Sequence, residues 1–238
     1  MRRIFYLFIL ASIPLVSFAT TLEVCENAKY YGAYGMKIHL EGEAGSYVQN
    51  DSPTAEQRYR ARFYLRLNNV AMADGESFEI FTGSDSSQNK QFILSVIRSG
   101  DNYILSSSVR DNSGSFTSSV AAQSPVLTSG WHAIEIDWFA DSSIGYMKLW
   151  FDGVPSVELN NLSNDQGQVD FVRLGAPNGT PSGATGSIDL DLFESRRVSY
   201  IGLVCHSPQE VTDAITEWFP TYSVADIIQM QNAVCPPN

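Results

Sequence analysis

The sequence predicts a mainly β protein: an antiparallel β-sandwich carrying a short C-terminal helical hairpin. Three observations carry that prediction. First, strict period-2 alternation recurs along the chain. It is clearest in one stretch where Tyr59, Ala61, Phe63, Leu65 and Leu67 point one way and Arg58, Arg60, Arg62, Tyr64 and Arg66 point the other, the mark of a strand with one buried and one polar face. Second, short strands of this kind follow one another between polar turn clusters with no helical period between them, which excludes alternating β/α units. Third, the pattern changes at Cys205, beyond which apolar residues recur at helical spacing.

Residues 1–19 read as a secretory signal peptide. Arg2-Arg3 form a basic start, Ile4 to Val16 are almost all apolar, and Ser17-Phe18-Ala19 offer small residues at the two positions a signal peptidase reads. The run is short for a span of about twenty residues, and nothing later is apolar enough to cross a bilayer, so no membrane insertion is expected after processing. A chain of this kind is expected to be secreted, periplasmic or at the cell surface, and bacterial. Losing the two arginines takes the formal net charge from −11 to −13. That excess repels nucleic acid and anionic lipid, which excludes both as partners.

The sandwich is assigned to residues 20–204. A loop from Glu26 to Gly35 leads into a strand where Met36, Ile38 and Leu40 alternate with Lys37 and His39. Tyr47-Val48 is a short strand, and Asn50 to Pro53 a turn. The arginine-rich strand follows. Further strands are read at Ser77 to Thr82, Gln91 to Arg98, Asn102 to Arg110, Ser115 to Ala121, Ser156 to Leu159, Gln168 to Leu174 and Gly186 to Glu194. The central hairpin lies between Gly130 and Gly153. Ile134, Ile136 and Trp138 oppose Glu135 and Asp137 on its first strand; Met147, Leu149 and Phe151 oppose Tyr146, Lys148 and Trp150 on its second; Asp152-Gly153 closes it.

Residues 205–238 form the hairpin. Ser207 caps and Pro208 starts a helix with Val211, Ala214, Ile215 and Trp218 at helical spacing; Phe219-Pro220 ends it. Ser223 caps a second helix, with Val224, Ile227, Ile228 and Val234 expected on one face. Three cysteines follow the signal, Cys25, Cys205 and Cys235, and three cannot all pair within one chain. A Cys205–Cys235 bridge, the preferred pairing, closes the helical segment; a Cys25–Cys205 bridge would tie the two ends of the sandwich. None has the spacing of a metal site.

From about Gly32 to Gly202 the chain resembles secreted laminin-G-like jelly rolls of the concanavalin-A-like lectin and glucanase superfamily. The residues that carry the resemblance are Gly130-Trp131-His132 opening a strand, the hairpin end Leu149-Trp150-Phe151-Asp152-Gly153, the strand Arg58 to Tyr64, and the final strand Asp189 to Arg196. The resemblance implies a concanavalin-A-like jelly roll. That superfamily hosts hydrolases, lectins and structural modules, so function rests on the site. Ser223 to Asn232 resembles the second helix of dockerin-like repeats, but no D-x-[DN]-x-[DN]-G calcium loop accompanies it.

Four groups of residues are candidates for function. Glucanases of the superfamily carry Glu-x-Asp-x-Glu or Glu-x-Asp-x-x-Glu on one strand, the outer glutamates acting as nucleophile and acid/base roughly 5–5.5 Å apart. Glu135 and Asp137 match the first two positions, but Phe139 and Ala140 stand where the last carboxylate belongs, and a lone nucleophile cannot protonate a leaving group. The arginine row, Arg60 and Arg62 within it, suits anionic sugars, or else pairs with carboxylates of neighbouring strands, Glu135 and Asp137 among them. Tyr64, Tyr146 and Trp150 suit stacking on sugar rings, or packing beneath a loop or the C-terminal helices. Asp191 is the candidate ligand for a structural calcium, which the resemblance implies would be held with backbone oxygens of the N-terminal loop; no other cofactor is expected. The expectation is therefore a non-catalytic module that binds a glycan or another cell-surface ligand. The alternatives are a polysaccharide hydrolase and a structural or adhesive module that docks through its C-terminal hairpin. The sequence sets no oligomeric state.

Overall fold

The computed structural model describes residues 22–41, 44–120, 126–206, 208–216 and 224–232. The signal peptide, the strand end at Ala121, and the readings of Ser207, Trp218, Phe219-Pro220, Ser223, Val234 and Cys235 lie outside the described residues.

Thirteen strands among the described residues pair antiparallel into two sheets. The first runs, edge to edge, through β1 (Leu22–Cys25), β2 (Gly35–His39), β13 (Thr185–Arg196), β4 (Arg58–Ala71), β9 (His132–Phe139), β10 (Gly145–Phe151) and β11 (Val154–Leu162). The second runs through β3 (Ser46–Asn50), β12 (Phe171–Ala176), β5 (Ser77–Ser84), β6 (Lys90–Ser99), β7 (Asn102–Arg110) and β8 (Phe116–Val120). Hairpins account for β5 through β8 and β9 through β11. The final strand, by contrast, inserts between β2 and β4 near the other end of the sequence.

The alternation in the sequence becomes the core. Tyr59, Ala61, Phe63 and Leu65 of β4, Ile134, Ile136 and Trp138 of β9, and Met147, Leu149 and Phe151 of β10 meet Phe78, Phe81, Phe92, Leu94 and Val96 of the opposite sheet. The rings of Phe63 and Phe81 lie 5.4 Å apart, and those of Phe92 and Trp138 5.9 Å. Each such large side chain contributes about 1.5–3 kcal/mol on burial.

Two features depart from the sequence reading. Leu22–Cys25, next to the signal and assigned to no element from the sequence, forms an edge strand, with Leu22 opposite Ile38 and Cys25 opposite Gly35. Four residues are too few for a periodic pattern to stand out. The loop that follows folds tightly back onto β2: a Cβ on Gly35 would lie 1.8 Å from the Ala28 carbonyl oxygen, so only glycine fits there.

The second departure concerns the helices, α1 (Pro208–Thr216) and α2 (Val224–Asn232). They dock on the outer face of the seven-stranded sheet, where Val211, Ile227 and Met230 form a second apolar cluster with Tyr30, Tyr64, Trp131 and Ala133. Val224 and Ile228, expected on the packed face, are exposed, as is Ile215. The buried face of α2 includes Asp226, because its Oδ1 accepts the Trp131 backbone N–H at 2.9 Å and turns that side of the helix toward the sheet. Cys25 is a free thiol, which removes the Cys25–Cys205 alternative.

Candidate functional site

The outer face of the seven-stranded sheet gathers the ligand and calcium candidates named from the sequence, and it has two unlike halves. In the half built by β4, β9 and β10, Arg60 stands opposite Asp137 and Arg62 opposite Glu135; across β10, Lys148 faces Asp137 and Trp150 faces Glu135. Asp137 is buried and accepts from Arg58 Nε and Nη2 (3.2 and 3.0 Å), Arg60 Nη2 (2.6 Å) and the Tyr146 hydroxyl (3.0 Å). Glu135 is also buried, but its main partners are not arginines. Its carboxylate accepts the backbone N–H groups of Ile201 and Gly202 at 3.0 and 2.9 Å, with Arg60 Nη1 4.0 Å away. Segment 199–204 therefore lies directly over this strand.

The same segment engages the rest of the row. Arg62 donates to the Gly202 and Leu192 carbonyls and to Glu194 Oε2. The Tyr64 hydroxyl accepts the Val204 N–H at 3.1 Å, while its ring stacks on Tyr30 at 4.0 Å. Arg60 lies 5.9 Å from both the Trp150 and Tyr200 rings, which meet edge-on. Burial raises the Tyr64 hydroxyl pKa; burial, then the charge of Asp137, raises that of Tyr146. The hydrogen bond to Asp137 pushes Arg58 further up. This half is a charge-paired seam sealed by the chain itself. Its two central carboxylates, Glu135 and Asp137, are both engaged, and of its aromatic rings Tyr64 is buried, Tyr146 and Trp150 are half-buried and Tyr200 is exposed.

Asp191 sits at the edge of this seam. Its Oδ2 accepts the N–H groups of Tyr30 and Tyr31 (2.7 and 3.0 Å), and its Oδ1 accepts the N–H of Leu192 (2.7 Å). Calcium takes six to eight oxygen ligands, whereas the N-terminal loop turns donors rather than carbonyls toward this carboxylate. The residues present do not fit the ion, and Asp191 acts as the anchor of the loop.

The other half, over β2, β13 and β4, is open. A groove of about 730 Å³ runs there beneath the loop that carries Glu26, Asn27 and Lys29. Lys37 and His39 of β2, Arg66, Asn68 and Asn69 of β4, Ser187 of β13 and Glu41 line the remainder. A register shift between Thr185 and Ser187 shapes it; bulges of this kind re-aim side chains at the rims of sheets. Gly186 makes the shift possible: its φ is +92°, and a Cβ there would lie 2.4 Å from the Asn69 carbonyl oxygen. Asn69 itself holds φ +50°.

Asp189 is fully buried under this groove. Its Oδ2 accepts Arg66 Nε and Nη2 (3.1 and 2.7 Å) and Asn68 Nδ2 (2.5 Å). Arg66 also donates to the Asn27 carbonyl at 2.7 Å and lies 4.7 Å above the Trp131 ring, which fixes the loop to the sheet. His39 Nε2 lies 3.3 Å from Glu23 Oε1. The side chains of Lys29, Glu26, Glu41, Asn69 and Ser187 have no hydrogen-bond or ion-pair partner among the described residues. Chemically, the groove interleaves donors and acceptors on three paired strands. The sequence reading had Lys37, His39 and Arg66 on polar strand faces but did not assemble them, because nothing local announces that β13 lies between β2 and β4.

No family model matches the chain, and no curated protein matches it in sequence. Solved structures do resemble it. An endo-beta-1,4-glucuronan lyase from the fungus Trichoderma reesei aligns with TM-score 0.55 and 15% identity, over 75% of this chain and 87% of that one. A cellulose induced protein, Cip1, aligns with TM-score 0.56 and 15% identity over 80% and 91%. The binding domain of Paraclostridial Mosquitocidal Protein 1 aligns with TM-score 0.51 and 13% identity, over 76% of this chain but 45% of that one. At these identities the likeness is one of fold, and the fold is an antiparallel two-sheet β-sandwich.

Proposed function

We propose that the chain is a secreted, non-catalytic jelly-roll module of the laminin-G-like type that binds a glycan in the groove over β2, β13 and β4. One observation carries the reading: uncommitted ammonium, amide, hydroxyl and carboxylate groups converge in an open groove of about 730 Å³ on a rigid sheet. A sugar ring presents hydroxyls that both donate and accept, so it needs this mixture rather than a single type of partner. The names of two structural neighbours, a glucuronan lyase and a cellulose induced protein, point to the same class of ligand. The non-catalytic part rests on Glu135, whose carboxylate is held under Ile201 and Gly202, and on Phe139 and Ala140, which stand where the last carboxylate of a glucanase strand belongs. Secretion rests on Arg2 through Ala19. A Cys205–Cys235 bridge belongs to the same reading, since Cys25 is free and an oxidising compartment favours disulfides.

A glycan array followed by calorimetry on the mature chain tests the proposal, with Lys37→Trp as the groove-filling variant. Retention of a glycan by wild type and its loss in Lys37→Trp is the expected result. If wild type retains none, the reading is wrong. Release of new chain ends from a bound glycan would overturn the non-catalytic part.

A further inference from the structure

Resting on that glycan reading, we infer that the groove selects a sugar acid, a hexuronate-bearing glycan whose carboxylate is met by Lys29 and Lys37. The chain has four lysines. Lys90 donates to both oxygens of Glu79 (2.7 and 2.6 Å), and Lys148 lies 3.4 Å from Glu158. The two that line the groove are different. Lys37 Nζ forms an ion pair with Asp189 Oδ1 at 3.7 Å, beyond hydrogen-bond reach, and that buried oxygen has no hydrogen-bond partner among the described residues; Lys29 has no partner among them. Asp189 is already matched by Arg66 through its other oxygen. In a chain of net charge −11, two ammonium groups thus have no hydrogen-bonded carboxylate among the described residues, and both are in the same groove.

The rest of the lining narrows the anion. Glu26 and Glu41 are exposed at the groove and unpartnered. A polyphosphate or nucleic acid, charged at every unit along its length, meets them as repulsion. A neutral glycan satisfies them through its hydroxyls but leaves Lys29 without a counter-charge and Lys37 with only a share of Asp189, which Arg66 also pairs. A hexuronate supplies one carboxylate per ring for the lysines, through charge-assisted hydrogen bonds, and hydroxyls for the glutamates, Asn69 and Ser187.

The test is calorimetry on the mature chain with oligoglucuronate, oligogalacturonate and oligomannuronate, each beside its carboxyl-reduced neutral counterpart, and with the double variant Lys29→Gln/Lys37→Gln. At least one acid form should bind about ten-fold or more tighter than its reduced form, the scale of one charge-assisted hydrogen bond. The double variant should lose that preference and bind acid and reduced forms alike. Equal binding of acid and reduced forms, or an acid preference that survives in the double variant, overturns the inference and leaves the glycan reading standing. So does binding of only uncharged glycans on an array. A blank array overturns both.

Discussion

One face of one sheet carries two polar regions that share a strand, β4, and differ in what lies over them. Arg58, Arg60 and Arg62 face β9, and Arg60 and Arg62 lie beneath segment 199–204; Asp137 answers Arg58 and Arg60, and the carbonyl of Gly202 answers Arg62. Arg66, a few residues along the same strand, faces β13 and forms part of an open groove. The residue types are alike. The difference is made by the return of the chain after β13, which places Ile201 and Gly202 over Glu135 and stops short of Lys37 and Ser187. A polar stripe on a strand therefore fixes which side faces away from the core; whether that side meets solvent is decided by a distant segment.

If the sealed region is a structural seam, removing its central acid must cost stability and leave ligand binding alone. Asp137→Ala strips Arg58, Arg60 and Tyr146 of their common partner. Breaking a buried pair costs about 3–5 kcal/mol, and the lower end applies because the Arg58 side chain remains 32% exposed. A melting temperature lower by about 6–12 °C is expected for a chain of this size, with glycan affinity unchanged. A variant that melts with wild type would mean that the seam is only a surface network.

The helices seal the neighbouring part of the same face, and their attachment can be weakened separately. Asp226→Ala leaves the buried Trp131 N–H without its acceptor, a loss of about 1–3 kcal/mol. Hydrogen exchange at the Trp131 amide should rise more than at β6 or β7 amides, because the local contact goes before the sandwich opens. Uniform acceleration would show that α2 and the sandwich unfold as one unit.

The sandwich was legible in the sequence because its signal is local: each of Tyr59, Phe63, Ile134, Trp138 and Leu149 sits in an alternating run that reports its own burial. The pairing of Arg60 with Asp137 was legible for the same reason, since opposite charges on two outward rows of one face tend to meet. The partners of Glu135 were not, because they are backbone N–H groups some 66 residues away. Nor was the packed face of α2: its helical period favours Val224 and Ile228, and one hydrogen bond from Trp131 to Asp226 outweighs it. The groove depends on a strand insertion and a bulge at Gly186, and neither leaves a periodic trace.

Alkaline pH probes the sealed half through its tyrosines. Burial is the leading cause that raises the hydroxyl pKa values of both Tyr30 and Tyr64 above the ordinary tyrosine value near 10. Between the unfolded and folded values the unfolded chain binds fewer protons than the native one, so stability falls as pH rises through that window and is fully present below it. Urea unfolding at stepped pH should give a flat stability below about pH 9 from these groups and a decline above pH 10. A Tyr30→Phe/Tyr64→Phe variant should flatten the decline. If it declines as steeply as wild type, the two hydroxyls are not as enclosed as the stacked pair implies.

The smallest expected effect belongs to the open half. Lys29→Ala removes a cation that has no hydrogen bond or ion pair among the described residues, and substitutions of that kind usually change stability by less than about 0.5 kcal/mol. Its remaining contribution is attraction to the excess negative charge of the whole chain. That attraction acts over a Debye length of about 8 Å at physiological salt and about 30 Å at 0.01 M. The variant should therefore be slightly less stable than wild type at low ionic strength and indistinguishable from it at physiological salt, while Asp137→Ala stays destabilised at both. A Lys29→Ala deficit that persisted in salt at the size of the Asp137→Ala loss would make Lys29 part of a packed seam, and the distinction between a sealed and an open half would fail.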